Sequence, residues 1–316
     1  MLLTLSLLLL GLIIIYFGAE WLVGSSVSLA TRLGVPPLVV GLTIVAYGTS
    51  APELVVAVQA ALMGRPDLVL GNVLGSNLGN LGIILGLTAL FCPFYVERLK
   101  VAKQYAWVFA FTLSLFALGY FGFFQLAGMA LVLAAFAYTF VAFWTSKSSE
   151  LDELVGEVEA VAPKAQSLSW TLLVLLAGML MLAVGGNLFL RSAVDLAQIL
   201  GLSEVIIGLT VVAFATTTPE LFTSVLAARR EQPEIALGNI LGSTIFNASA
   251  IIGTATLIRA PQSPFSENWF QLSGLLGMTL LVAIFLFVGS GRMGRRKGGA
   301  LVALHMSILA VSFLLI

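Results

Sequence analysis

Long apolar runs alternate with short polar connections along nearly the whole chain. A bilayer core of about 30 Å takes roughly 20 helical residues, so each run reads as a span. Ten are expected, at about 2–24, 37–63, 68–92, 103–121, 124–145, 168–190, 203–228, 234–257, 269–290 and 298–316. One connection is long: Ser146 to Ser167 carries Glu150, Asp152, Glu153, Glu157 and Glu159 and reads as a solvated hinge. The expected organisation is therefore a first half 1–145, a hinge 146–167 and a second half 168–316.

A repeat within the pattern decides the fold class. Residues 41–86 align with 208–253 at a constant offset of 167 without gaps, and 22 of the 46 positions are identical. Shared apolar composition cannot produce this, because the matches include Pro52/Pro219, Glu53/Glu220, Asn72/Asn239 and Asn80/Asn247. Each copy holds five spans. An odd number makes the second copy enter the membrane from the opposite side, which gives an all-α membrane protein with inverted-topology repeats. Such a plan supplies one chain with two comparable shapes, one open to each side, as alternating access requires.

Composition narrows the class further. Charged residues are 9% of the chain and hydrophobic ones 59%, against about a quarter charged in soluble domains. The lone Cys92 excludes a disulfide framework. The lone His305 excludes an HExxH site and argues with the missing GxSxG elbow against an enzyme. Net charge near zero gives no reason to expect nucleic acid. The apolar N-terminus lacks a basic leader and a cleavage site, so no removed signal peptide is expected. Alternate connections hold 12 and 3 of the 15 Lys and Arg residues. The positive-inside rule then puts both termini outside and the acidic hinge in the cytoplasm, in a plasma (inner) membrane. Arg292–Lys297 reads as a topogenic anchor, with attraction to anionic lipid as a further reading.

The polar residues inside the spans carry the chemistry. Ala46-Tyr-Gly-Thr49-Ser50-Ala-Pro52-Glu53 is matched by Ala213-Phe-Ala-Thr216-Thr217-Thr-Pro219-Glu220. Each proline removes a backbone donor and frees carbonyls near Gly48 and Ala215. Broken backbone at membrane depth is tolerated only inside protein or along a wet cavity. An ionised carboxylate in an apolar span costs at least ~2.5 kcal/mol, so Glu53 and Glu220 mark an ion pathway. Carbonyls, hydroxyls and carboxylates form an oxygen-only set that suits Ca2+ and Na+. Ser76 and Asn80 share one helical face four residues apart, as do Ser243 and Asn247. Asn72 and Asn239 read either as further lining or as helix-end bonding. Glu20 reads as an interface position or as an ion-access residue.

GTSAPE…GNVLGSNLGN and ATTTPE…GNILGSTIFN resemble the two alpha repeats of the sodium/calcium exchanger family, in the cation/calcium antiporter superfamily. The likeness covers nearly the whole chain and is that of a prokaryotic-type member. It implies antiport of Na+ against Ca2+ by alternating access, with Glu53 and Glu220 binding the two ions in turn. It implies oxygen from Thr49 and Thr216, and Na+ sites completed by Ser50, Thr217, Ser76, Ser243 and the carbonyls of Ala46 and Ala213. Asn80 and Asn247 would flank the central position. Asn247 stands where potassium-dependent members carry Asp, Ala215 replaces the glycine of GTS, Thr217 replaces Ser, and Thr244 replaces Asn. A proton-coupled exchanger of Ca2+ or another divalent cation is the alternative on the same fold. No cofactor or obligatory protein partner is expected; the ions are cargo and the bilayer is the surroundings.

Overall fold

The computed structural model describes residues 1–146, 167–201, 213–262 and 265–315. Most of the acidic hinge (147–166), Glu204 and the start of the seventh expected span lie outside them. Helix α1 (Leu2–Leu33) ends where Gly34 turns left-handed, φ 61°, and its N–H meets the Ala30 and Thr31 carbonyls. Glycine takes that conformation at no steric cost. Then follow α2 (Pro37–Thr49), α3 (Ala51–Leu62) and α4 (Pro66–Phe91). Strand β1 (Phe94–Tyr95) precedes α5 (Arg98–Phe121) and α6 (Gln125–Ser146). The second half supplies α7 (Leu168–Ile199), α8 (Ala213–Thr216) and α9 (Thr218–Arg229). It continues with α10 (Pro233–Ile258), α11 (Phe265–Phe287), β2 (Arg292–Met293) and α12 (Arg295–Leu315).

Among the described residues the regular structure is thus helical apart from one dipeptide ribbon, in which Phe94 pairs with Met293 and Tyr95 with Arg292. Among the described residues seven helices are long and apolar enough to cross a membrane, and α2 with α3, bent at Ser50, makes an eighth. Of the other two expected spans, one begins outside the described residues. The other forms α12, which opens on Arg295, Arg296 and Lys297 and is not among those helices. The first and sixth spans extend well beyond 24 and 190, because polar turns such as Ser25–Ser28 and Arg191–Asp195 continue the helix rather than end it.

Local structure repeats with the sequence. Ala46–Thr49, Ala51–Leu62, Pro66–Gly79 and Leu85–Phe91 recur 167 residues later as Ala213–Thr216, Thr218–Arg229, Pro233–Phe246 and Ile252–Ile258. Within α4 the turn Asn80–Ile84 is π-helical, and so is Asn247–Ile251 within α10. A third π turn, Gly41–Val45, lies in α2. Such turns insert one residue into the helix and concentrate at functional sites.

Packing divides the chain into two compact units, and the division differs from that of the sequence repeats. One unit is Met1–Thr49 with Ala142–Asn239; the other is Ser50–Val141 with Ile240–Ile316. The first is built on α1 against α7, which run antiparallel. A Cβ on Gly11 would lie 3.1 Å from the Gly185 carbonyl oxygen, and one on Gly178 would lie 2.9 Å from that of Gly18. Positions 11 and 178, and 18 and 185, are equivalents in the repeat. The backbones therefore touch through glycines, as close-packed helices in lipid do. The second unit packs α5 on α11, α12 on the end of α4 and α6 on α10. There too equivalents meet: the Thr112 and Thr279 hydroxyls are 3.5 Å apart.

Candidate ion-binding residues

Six of the twelve candidate residues fall in the first unit: Ala46, Thr49, Ala213, Thr216, Thr217 and Glu220. Helices α8 and α9 part at Thr217, whose φ of −87° and ψ of −1° set Pro219 into the first turn of α9. Proline suits that turn, where its missing N–H has no helical acceptor anyway. Glu220 follows at 2% exposure. Its backbone carbonyl accepts a hydrogen bond from the Asn239 amide at 3.3 Å, and the same amide reaches the Ser224 hydroxyl at 3.0 Å. The Asn239 carbonyl oxygen lies 3.1 Å from the Thr49 hydroxyl, which also faces the Ala46 carbonyl at 3.1 Å. One hydroxyl proton serves both acceptors, so the Ala46 oxygen is not committed to it. Asn239, wholly buried, thereby joins the end of α2 in the first repeat to the glutamate helix of the second.

Hydroxyls around this break face inward along their own helix. Thr217 and Thr218 donate to the Phe214 carbonyl at 3.2 and 2.8 Å, and Thr223 to that of Pro219 at 2.8 Å. Helix α7 covers both breaks through glycines. A Cβ on Gly186 would stand 3.2 Å from the Pro219 ring, and one on Gly48 would stand 2.7 Å from Met179.

The second unit holds the other six: Ser50, Glu53, Ser76, Asn80, Ser243 and Asn247. Ser50 sits at φ −90° and ψ 5°, nearly the conformation of Thr217, so the two proline breaks share one shape. Glu53 is 6% exposed in the first turn of α3. Helix α3 packs against Asn247–Ile251 and Ile252–Ile258 of the other repeat. Asn80 and Asn247 each open a π turn, and both are buried with Ser76 and Ser243. The Asn77 amide donates to the Thr244 carbonyl at 3.2 Å and ties α4 to α10 at equivalent positions. Among the described residues, Asn77 Oδ1, Ser243 Oγ, Asn247 Oδ1 and Asn80 Nδ2 are buried without a hydrogen-bond partner. An unmade buried bond costs about 1–3 kcal/mol, so a cluster of such atoms needs a reason. Three of the four are oxygens, the donor type a hard cation takes.

Two roles emerge only here. Asn239 is an internal tether rather than open lining, with Ser224 as its partner. Asn77 is a cross-link between repeats. For Asn77 the signal in the sequence was the offset of 167, which makes it the repeat equivalent of Thr244; the partners of Asn239 follow no such offset. Glu20 forms an ion pair with Arg230 at the end of α9, which makes it an interface residue.

The chain matches the family described as sodium/calcium exchanger protein over residues 3–150 and 170–314. It belongs to that family. Among relatives of this family member, an uncharacterized membrane protein of Methanocaldococcus jannaschii is 33% identical over 96% of this chain and 95% of its own. The sodium/calcium exchanger MaX1 of Methanosarcina acetivorans is 28% identical over 97% of both chains. The solved structure of the sodium-calcium exchanger NCX_Mj superposes with a TM-score of 0.85 at 29% identity, covering 98% of this chain and 99% of that one. Family and fold therefore agree over the whole length, and the family is one of membrane transporters.

Proposed function

We propose that this family member exchanges Na+ for Ca2+ by alternating access, with Glu53 and Glu220 as the acids of one ion site. The observation that carries the reading is reciprocal. The helix of Glu53 packs on the π segment of the second repeat, and Glu220 is tethered through Asn239 to Thr49 of the first. Each acid is set among residues of the other copy. A shared site then draws oxygen from Thr49, Thr216, Ser50, Thr217, Ser76, Ser243, Asn80 and Asn247 and from the Ala46 and Ala213 carbonyls.

Two acids carry two negative charges, which one Ca2+ or a set of Na+ ions neutralises, so the occupancies exclude each other. An empty pair of bare carboxylates is costly to enclose in a low dielectric, and that penalises leak. Ten spans in two inverted five-span repeats supply the two access states. The antiparallel contact of α1 and α7 through equivalent glycines supports the inversion. The uneven distribution of basic residues supports an orientation with the termini outside and 146–167 in the cytoplasm.

The test is 45Ca uptake into proteoliposomes with Na+, K+ or H+ gradients imposed one at a time. Outward Na+ alone is expected to drive saturable uptake, and Glu53→Gln and Glu220→Gln each to reduce it at least a hundredfold. Uptake driven by a proton gradient without Na+ would replace the coupling ion. Full flux in either variant would remove the site.

A further inference from the structure

Helices α5 and α11 run antiparallel in the second unit, joined where the Tyr105 hydroxyl donates to the Thr279 carbonyl. Between them lies a groove of about 300 Å3, lined by Ala102, Tyr105, Ala106, Leu280, Ala283 and Phe287. It opens outward: Ala102 and Ala106 are exposed and Leu280 is 46% exposed. Three alanines leave the trough unfilled, and Phe287 meets Tyr105 edge-on at its basic end. From Leu280 to Phe287 it runs about 10 Å along the helix.

Cations gather at that end. Arg98 stands one turn before Ala102 on the same face of α5. Its guanidinium reaches toward the connection after α11, where a Cβ on Gly291 would lie 3.5 Å from Arg98 Nε. Lys297 donates to the Phe285 carbonyl, 5.6 Å from that ring's centre, and is close enough to Arg98 for the two to repel. Arg292 lies over the Tyr95 ring. The neighbouring carboxylate, Glu97, pairs with Lys100 at 3.2 Å. Arg98, one turn beyond an apolar trough and with Lys297 near enough to add its charge, complements an anion attached to a hydrocarbon chain. Basic pockets between spans bind lipid headgroups in this way.

We propose that the groove holds an acyl chain of an anionic phospholipid whose phosphate lies between Arg98 and Lys297. The test uses the full chain in nanodiscs of phosphatidylglycerol or phosphatidylcholine, with lipids retained after detergent extraction counted by native mass spectrometry. The wild type should retain phosphatidylglycerol about tenfold over phosphatidylcholine. Arg98→Gln with Lys297→Gln should abolish that preference, and Ala106→Phe, which fills the trough, should reduce retention of both lipids. Should the charge variant not fold, Ala106→Phe decides alone. Equal retention of both lipids by the wild type, or unchanged retention in Ala106→Phe, would overturn the proposal. Pairing of two copies through Cys introduced at Ala106 would overturn it in favour of self-association. Retention is measured without ion flux, so this outcome is independent of the exchange reading.

Discussion

Asn72 and Asn239 are equivalents in the repeat, yet the structure gives them unequal environments. Asn239 is fully buried with three polar partners, whereas Asn72 is half-buried. Replacing Asn239 by Ala removes both amide donors and one acceptor. The Glu220 carbonyl keeps no donor from that side, at about 1–3 kcal/mol for a buried acceptor left unmade. The Ser224 hydroxyl can rotate and Thr49 can turn fully to the Ala46 carbonyl, so these two losses come to about 0.5–1.5 kcal/mol each at most. The sum is about 2–6 kcal/mol for Asn239→Ala, against ~0.5 kcal/mol for Asn72→Ala at a partly exposed position. With Thr49 and Glu220 as ligands of the proposed site, part of the loss is expected to fall on ion binding, since the tether fixes Thr49 relative to Glu220. A share of about 1.4 kcal/mol raises the half-saturating Ca2+ concentration tenfold. Thermal denaturation of both purified variants, with 45Ca saturation curves, measures the two parts. Equal destabilisation of Asn72→Ala and Asn239→Ala would refute the reasoning, as would an unchanged Ca2+ requirement in Asn239→Ala.

Other substitutions separate structural from functional roles. Gly178→Val places a side chain where even a Cβ is 2.8 Å from the Leu22 backbone, so folded protein should fall sharply in size-exclusion profiles; normal yield would contradict the helix contact. Glu20→Gln removes a partly exposed ion pair with Arg230, for which 0–1 kcal/mol is the usual scale. Its Na+-driven 45Ca flux should stay within twofold of wild type, and a large loss would restore Glu20 to an ion-access role.

Much of the fold was legible because bilayer solvent allows few solutions. Among the described residues eight of the ten span positions followed from apolar runs, and the proline breaks at Ser50 and Thr217 followed from Pro52 and Pro219. What the sequence withheld was contact. The π turns at Asn80 and Asn247 leave no mark in hydropathy, since one inserted residue hardly changes a helical period. Helices α1 and α7 run past the apolar stretches that marked their spans, because hydroxyls can bond back to their own helix and let polar turns continue it. Ser25 does so to the Trp21 and Leu22 carbonyls. Asn239 stayed open between lining and helix-end bonding because its main partner is not visible along its own helix; Thr49 is 190 positions away.

Duplication explains why the acids come singly in each repeat. If each copy enclosed its own glutamate, either half could bind an ion and nothing would couple their conformations. Instead Asn239 ties the helix of Glu220 to Thr49, and the helix of Glu53 rests on the segment that begins with Asn247. On the proposed exchange reading, a motion that changes access to one acid would then displace residues contributed by the other copy. Coupling of this kind would need no wire between distant sites, because on that reading the element that moves and the element that binds are the same residues.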